Sequence, residues 1–259
     1  MERYIAIDNV CAWPNLTLLP DQSIAALVFN KPGHGIYEGE IECWRSEDGG
    51  RLWKKAGVPA PHAPGCNRMN LAAGLAKDGA IIALCSGWSS VVPYGTPVPT
   101  QYRRKVLDAV VCRSYDGGFT WRQEGSIEKP QGVQSFIPYG DIVQSSDGIL
   151  GVCCLSWGDW TDKGVIGFPN FTSYFLRSYD DGRTWVDPVV IGMDETGKPI
   201  NNNETTVICL DGQYLLAAAR TLDDQHLELY ESEDFGKTWR RKGPVTLAFQ
   251  HPANFLLLQ

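Results

Sequence analysis

Nothing in this 259-residue chain approaches the roughly 18 uninterrupted apolar residues that a helical membrane span needs. The opening stretch MERYIAIDNVCAW has no basic segment followed by an apolar one, so no secretion signal is read and a cytoplasmic location is expected. Basic charge is scarce: 23 Lys and Arg stand against 30 Asp and Glu, for a net charge of −7 and a pI near 5.1. That balance argues against nucleic acid or an anionic membrane as the main partner, since both demand a basic face. A small anion is still admissible, because a few placed arginines suffice to hold one. The eight cysteines contain no C-x-x-C pair, and the scattered histidines form no H-x-x-x-H ligand pair. Neither a zinc site nor a disulfide framework is expected, and no metal or cofactor is called for. Most cysteines lie in apolar runs such as LGVCCLSW, where a thiol behaves as a small buried hydrophobe.

What the chain does have is a repeat. SEDGGRLW (46–53), SYDGGFTW (114–121), SYDDGRTW (178–185) and SEDFGKTW (232–239) keep Ser, Asp, Gly and Trp at fixed offsets. Threonine precedes the tryptophan in three of them, with Leu52 the exception. An alternating apolar run precedes each copy, and period-two alternation means a half-buried strand. Further upstream lie LPDQS, AKDGA, SSDGI and CLDGQ, turn signals set between apolar runs. Each unit therefore reads strand, turn, strand, variable loop, strand, box, strand, and four antiparallel strands at this period make a propeller blade. Four boxes spread one per blade cannot share a pocket, so the box is structural: its Asp accepts from its own turn and its Gly supplies positive φ.

In up-and-down sheets alternate connections share an end. The turns and boxes occupy one end, and the long loops 30–40, 86–106 and 156–171 the other, where function is expected. That end offers Asn15, Asn30, His34, Glu38 and Glu40 in the first unit, and Asn67, Arg68, Asn70, Arg103 and Arg104 in the second. The third offers Tyr139, Asp141, Trp157, Asp159 and Trp160. The fourth offers Glu204, Arg220, Asp223, Asp224 and His226, with His251 opening the tail.

On these boxes the chain resembles the sialidase (neuraminidase) superfamily, whose Asp-box or BNR repeat has this form. The resemblance implies an all-β propeller of six blades. Four are expected here as one domain, at about 1–60, 61–128, 129–192 and 193–246, with 247–259 as the first strand of a fifth in a C-terminally incomplete chain. Within NNNETTVICLDGQYLLAAAR the resemblance implies that Glu204 partners a nucleophilic tyrosine and that Arg220 grips a substrate carboxylate. An out-and-back hairpin returns both to the same end, and the planar guanidinium fork matches a carboxylate. The family's first-strand arginine is missing: Ala12-Trp13-Pro14 stands in its place, and Arg68 is the nearest substitute. The family's acid/base Asp is also missing from KPGHGIYEGE, where Glu38 is the best carboxyl. Its remaining arginine and nucleophilic tyrosine would fall after Gln259. Asp141 and Trp157 complete the expected sugar contacts. The implied activity is exo-hydrolysis of a terminal acidic sugar from a glycan. The alternative is a non-catalytic propeller binding glycan or protein.

Overall fold

The computed structural model describes residues 4–89, 105–157, 171–200, 202–221, 225–250 and 253–257. Every regular element among them is a strand. The chain forms two compact units, Met1–Gly125 and Ser126–Gln259.

Unit one holds two sheets. The first runs in order β1 (Cys11–Leu18), β2 (Ile24–Phe29), β3 (Ile41–Ser46) and β4 (Lys54–Gly57), all antiparallel. The second is β5 (Asn70–Leu75), β6 (Ile81–Ser89), β7 (Lys105–Ser114) and β8 (Arg122–Gln123), again antiparallel in sequence order. The Asn15 side-chain amide donates to the Ala73 carbonyl at 3.2 Å, so the leading strands of the two sheets are stitched together.

Unit two repeats the plan. β9 (Ser126–Ile127) pairs in parallel with the outer strand of a sheet formed by β10 (Ser135–Gln144), β11 (Leu150–Trp157), β12 (Ser173–Ser178) and β13 (Thr184–Val190). The last sheet is β14 (Asn202–Cys209), β15 (Leu215–Thr221), β16 (Leu227–Ser232) and β17 (Arg240–Pro244). Between its two sheets lies a core that includes Phe175, Ile191, Val207, Leu215, Tyr230 and Phe235. Burial of such apolar faces is what holds a sheet pair together, at about 25 cal/mol per Å². In the tail expected as a strand over 247–259, the described residues 247–250 and 253–257 pair with no described strand. Asn254 nevertheless touches β14, accepting from the Thr206 hydroxyl at 3.3 Å.

All four boxes fold into the same turn. In the second, the Ser114 hydroxyl donates to Asp116 at 2.9 Å and accepts from the Gly118 amide at 2.8 Å. Asp116 also accepts from the Phe119 and Thr120 amides and the Thr120 hydroxyl. Trp121 Nε1 donates to the Gly118 carbonyl at 2.8 Å, which fixes the indole. Ser46–Asp48–Gly50, Ser178–Asp180–Gly182 and Ser232–Asp234–Gly236 repeat the serine bonds. Trp239 is the variant: its Nε1 has no partner among the described residues, and its ring instead stands edge-on to Phe175 at 5.6 Å.

These box glycines also allow close approach. A Cβ on Gly118 would lie 2.5 Å from the Cys43 sulfur, and one on Gly236 would lie 2.2 Å from the Phe175 ring. The second and fourth boxes are thereby packed under the third strand of the preceding sheet in their units. The eight cysteines are free: Cys43, Cys85, Cys112, Cys153 and Cys154 are buried, and Cys11, Cys66 and Cys209 partly so.

Candidate active site

In unit two the hairpin β14–β15 turns at Leu210–Tyr214, at the same end as its box. Glu204 near the start of β14 and Arg220 near the end of β15 therefore lie at the opposite end. The register slips between Asn202 and Thr205, and this bulge redirects the Glu204 side chain. Ser173 pins the bulge to β12 by donating to the Asn203 carbonyl at 2.6 Å, with Thr205 Oγ1 at 2.7 Å. Arg220 donates to Glu204 at 2.6 Å, both side chains being about four-fifths covered.

A second bulge serves the same region. The β10–β11 register slips between Tyr139 and Val143, around Gly140 at φ 79°. It offers Tyr139 and Asp141 from the strand beside β14: a Cβ on Gly140 would sit 3.4 Å from Thr206 Oγ1. Burial pushes the Tyr139 phenol well up from its ordinary value, the Glu204 and Asp141 charges push it further, and Arg220 opposes them. The phenol is therefore neutral, and it shares one electrostatic environment with the Glu204–Arg220 pair. Burial also raises the Asp141 carboxyl.

Unit one places its candidates on the loop 30–40 and the segment entering β5. The Glu38 amide donates to the Cys66 carbonyl, the Arg68 amide to the Gly39 carbonyl and the Asn67 side chain to the Ile36 carbonyl. Glu38 takes φ 62°, and its carboxylate accepts from the Gly65 amide. His62 stands between two carboxylates, with Nε2 3.2 Å from Glu38 and Nδ1 2.7 Å from Glu40. Arg68 is held by Nη1 on the carbonyls of Asp108 at 2.8 Å and Cys85 at 3.4 Å. Among the described residues it has no carboxylate partner.

Other candidates hold the framework. Asn67 is fully buried and caps the Trp88 amide, Asn30 bonds Glu42 and the Glu40 amide, and Asn70 meets Ser86. His34 packs against Trp13, and His226 bonds the buried Glu228 at 2.9 Å. Trp13 itself sits at φ 63° in an irregular part of β1, so the first-strand arginine position is occupied by a distorted strand. Trp157 ends β11, and its side chain lies outside the described residues, as do Arg103, Arg104, Asp159, Trp160, Asp223, Asp224 and His251. His62 was missing from the sequence-based candidates. Its only signal is its position between Pro61 and Pro64 in the segment entering the second sheet.

No family model matches the sequence, and no curated protein matches it by sequence. Solved structures do match in fold. The Hadza microbial sialidase Hz136 superposes at TM-score 0.66 with 17% identity, over 88% of this chain and 45% of that one. The Trypanosoma rangeli sialidase in complex with the inhibitor DANA gives 0.62 and 17%, over 88% and 37%. A protein of unknown function from Dyadobacter fermentans gives 0.73 and 19%, over 95% and 72%. The fold is therefore all-β and of the sialidase β-propeller type. The chain spans less than half the length of the two sialidases, and at these identities the likeness is one of fold.

Proposed function

We propose that the protein is an exo-acting glycoside hydrolase of the sialidase superfamily, removing a terminal acidic sugar from glycans, with the four boxes as its Asp-box (BNR) repeats. The observation that carries this reading is the assembly of Glu204, Arg220, Tyr139 and Asp141 at the end of unit two opposite the box, on a sialidase-type fold. Arg220 holds the sugar carboxylate, leaving Glu204 free to act as base toward a phenol. Tyr139, kept protonated by burial and by the Glu204 and Asp141 charges, is a hydrogen-bond donor at that end. In unit one, Arg68 is a second carboxylate-binding cation and Glu38 the acid/base carboxyl. Asp141 and Trp157 are the remaining sugar contacts. Eight free thiols support a reducing compartment, the cytoplasm.

One observation favours a second reading, glycan binding without cleavage: Arg220 is already neutralised by Glu204 at 2.6 Å. Assay of the protein on a fluorogenic sialoside, beside Arg220→Ala, Glu204→Gln and Tyr139→Phe, separates the two. Hydrolysis predicts losses in turnover of about 10²-fold or more in each variant. Full turnover in Arg220→Ala and Glu204→Gln refutes the assignment. No cleavage of any acidic glycoside, with glycan binding that Arg220→Ala weakens, favours the second reading.

A further inference from the structure

Two residues break the repeat of the boxes, and both breaks are apolar. The position after the conserved glycine is Arg51, Arg183 and Lys237 in three boxes but Phe119 in the second. The next position is Thr120, Thr184 and Thr238 in three boxes but Leu52 in the first. The turn asks for neither side chain. It uses Phe119 only through its amide, which donates to Asp116 at 3.1 Å. Leu52 deprives Asp48 of the hydroxyl that reaches Oδ2 of the other three aspartates at 2.6 or 2.7 Å. Both side chains are exposed, and although they belong to different boxes they line one cavity of about 330 Å³ in unit one. A local rule broken at a cost in stability, twice and toward the same space, marks a place kept for binding. We propose that this cavity binds a neutral sugar ring, a hexopyranose, at the end of unit one opposite Glu38 and Arg68.

The charges around the cavity decide the class of ligand. Arg45, Lys54 and Lys55 line it together with Glu47 and Asp48. Arg45 is engaged by Asp21, and Lys55 by Glu42 at 2.6 Å. What is left has both signs. The Lys54 side chain has no hydrogen-bond or ion-pair partner among the described residues, and Glu47 comes no nearer than 3.9 Å to Arg45 Nε. Asp48 spends Oδ1 on Ser46, Arg51 and Leu52 and keeps Oδ2. An anion would meet Lys54 but face two carboxylates, and an organic cation would meet the carboxylates but face Lys54. Hydroxyl groups satisfy both, because each can donate to a carboxylate and accept from an ammonium. The C–H face of a pyranose is apolar and suits Phe119 and Leu52. The Arg45 guanidinium carbon lies 5.7 Å over the Phe119 ring and steadies it. A Cβ on Gly57 of β4 would lie 2.5 Å from the Gly118 carbonyl, so the second box is seated directly against β4 and the walls are set in advance. The volume is near the lower end for ligand cavities, which fits a short saccharide rather than a long one.

Saturation-transfer NMR on the full chain, with the methyl glycosides of glucose, galactose, mannose and N-acetylglucosamine, reads this site. No acidic substrate is used, so failure of the hydrolase reading leaves the test intact. At least one of these glycosides is expected to bind with millimolar affinity. Phe119→Arg, which installs the residue type of the first and third boxes, lowers that affinity about tenfold or more. Leu52→Thr lowers it about fivefold while raising the unfolding midpoint, so the loss is not one of folding. Binding that neither substitution changes overturns the proposal, as does a folded protein that binds none of the glycosides. Uptake of benzoate or phenethylamine in their place, abolished by Phe119→Arg, overturns the sugar assignment in favour of a charged ligand.

Discussion

At the scale of single residues, the sharpest contrast is between aspartates that hold turns and the one that is covered. Asp48, Asp116, Asp180 and Asp234 are all lowered from the ordinary carboxylate value. At Asp48 the Leu52 amide is the main cause. At the other three, burial pushes upward and is outweighed by the threonine hydroxyl and amide two positions after the glycine. Groups lowered by folding stabilise the protein above the unfolded value near 3.9, and that contribution disappears as pH falls through the folded value. Asp141, raised by burial, has the opposite sign: its contribution is present below the ordinary value and is lost as pH rises through the raised one. Leu52, 71% exposed, cannot supply the hydroxyl that Thr120, Thr184 and Thr238 give their aspartates. Leu52→Thr is expected to raise the unfolding midpoint by roughly 2 °C in a thermal scan. Arg68→Ala should weaken binding of an acidic glycan by about tenfold or more in calorimetry, while Arg68→Lys restores only part, because an ammonium lacks the planar fork.

Turns and bulges set the scale of elements. The first hairpin turn, Leu19 to Ser23, places Gln22 at φ 69°, where its counterparts in the second and third turns carry glycine at 79 and 148. Gln22→Gly should therefore be neutral to stabilising, up to about 1 kcal/mol in denaturant unfolding, even though glycine usually costs stability. Gly118→Ala runs the other way, because its methyl would meet Cys43 at φ 99°, and the expected loss is about 2 kcal/mol or more. The elements themselves were legible in the sequence: the alternating runs before each box and the turn residues between them mark β2, β3, β6, β7, β11, β12, β15 and β16 where they lie. The site was legible only in part. Placing Glu204 and Arg220 at one end needed nothing beyond the out-and-back path of a hairpin. Tyr139 and Asp141 emerged merely as loop-end polar residues, because a bulge is a register slip between strands and leaves no local mark in a single sequence. His62 was invisible for a related reason: its partners Glu38 and Glu40 reach it only after the 30–40 loop has been laced onto the segment before β5.

For the whole molecule, four box carboxylates titrating in the same direction predict a steep loss of stability as pH drops below about 4, followed by tryptophan fluorescence. Asp180→Asn should flatten that slope while lowering stability near neutrality by about 1 kcal/mol. Within each unit the same chemistry closes one end of every ladder, and the other end is different in every sheet. That division separates the sequence that folds from the sequence that recognises. The protein is in this respect a display frame: randomising the 30–40 loop alone, with turns and boxes untouched, should return well-folded descendants whose ligand preferences drift while their melting behaviour stays put.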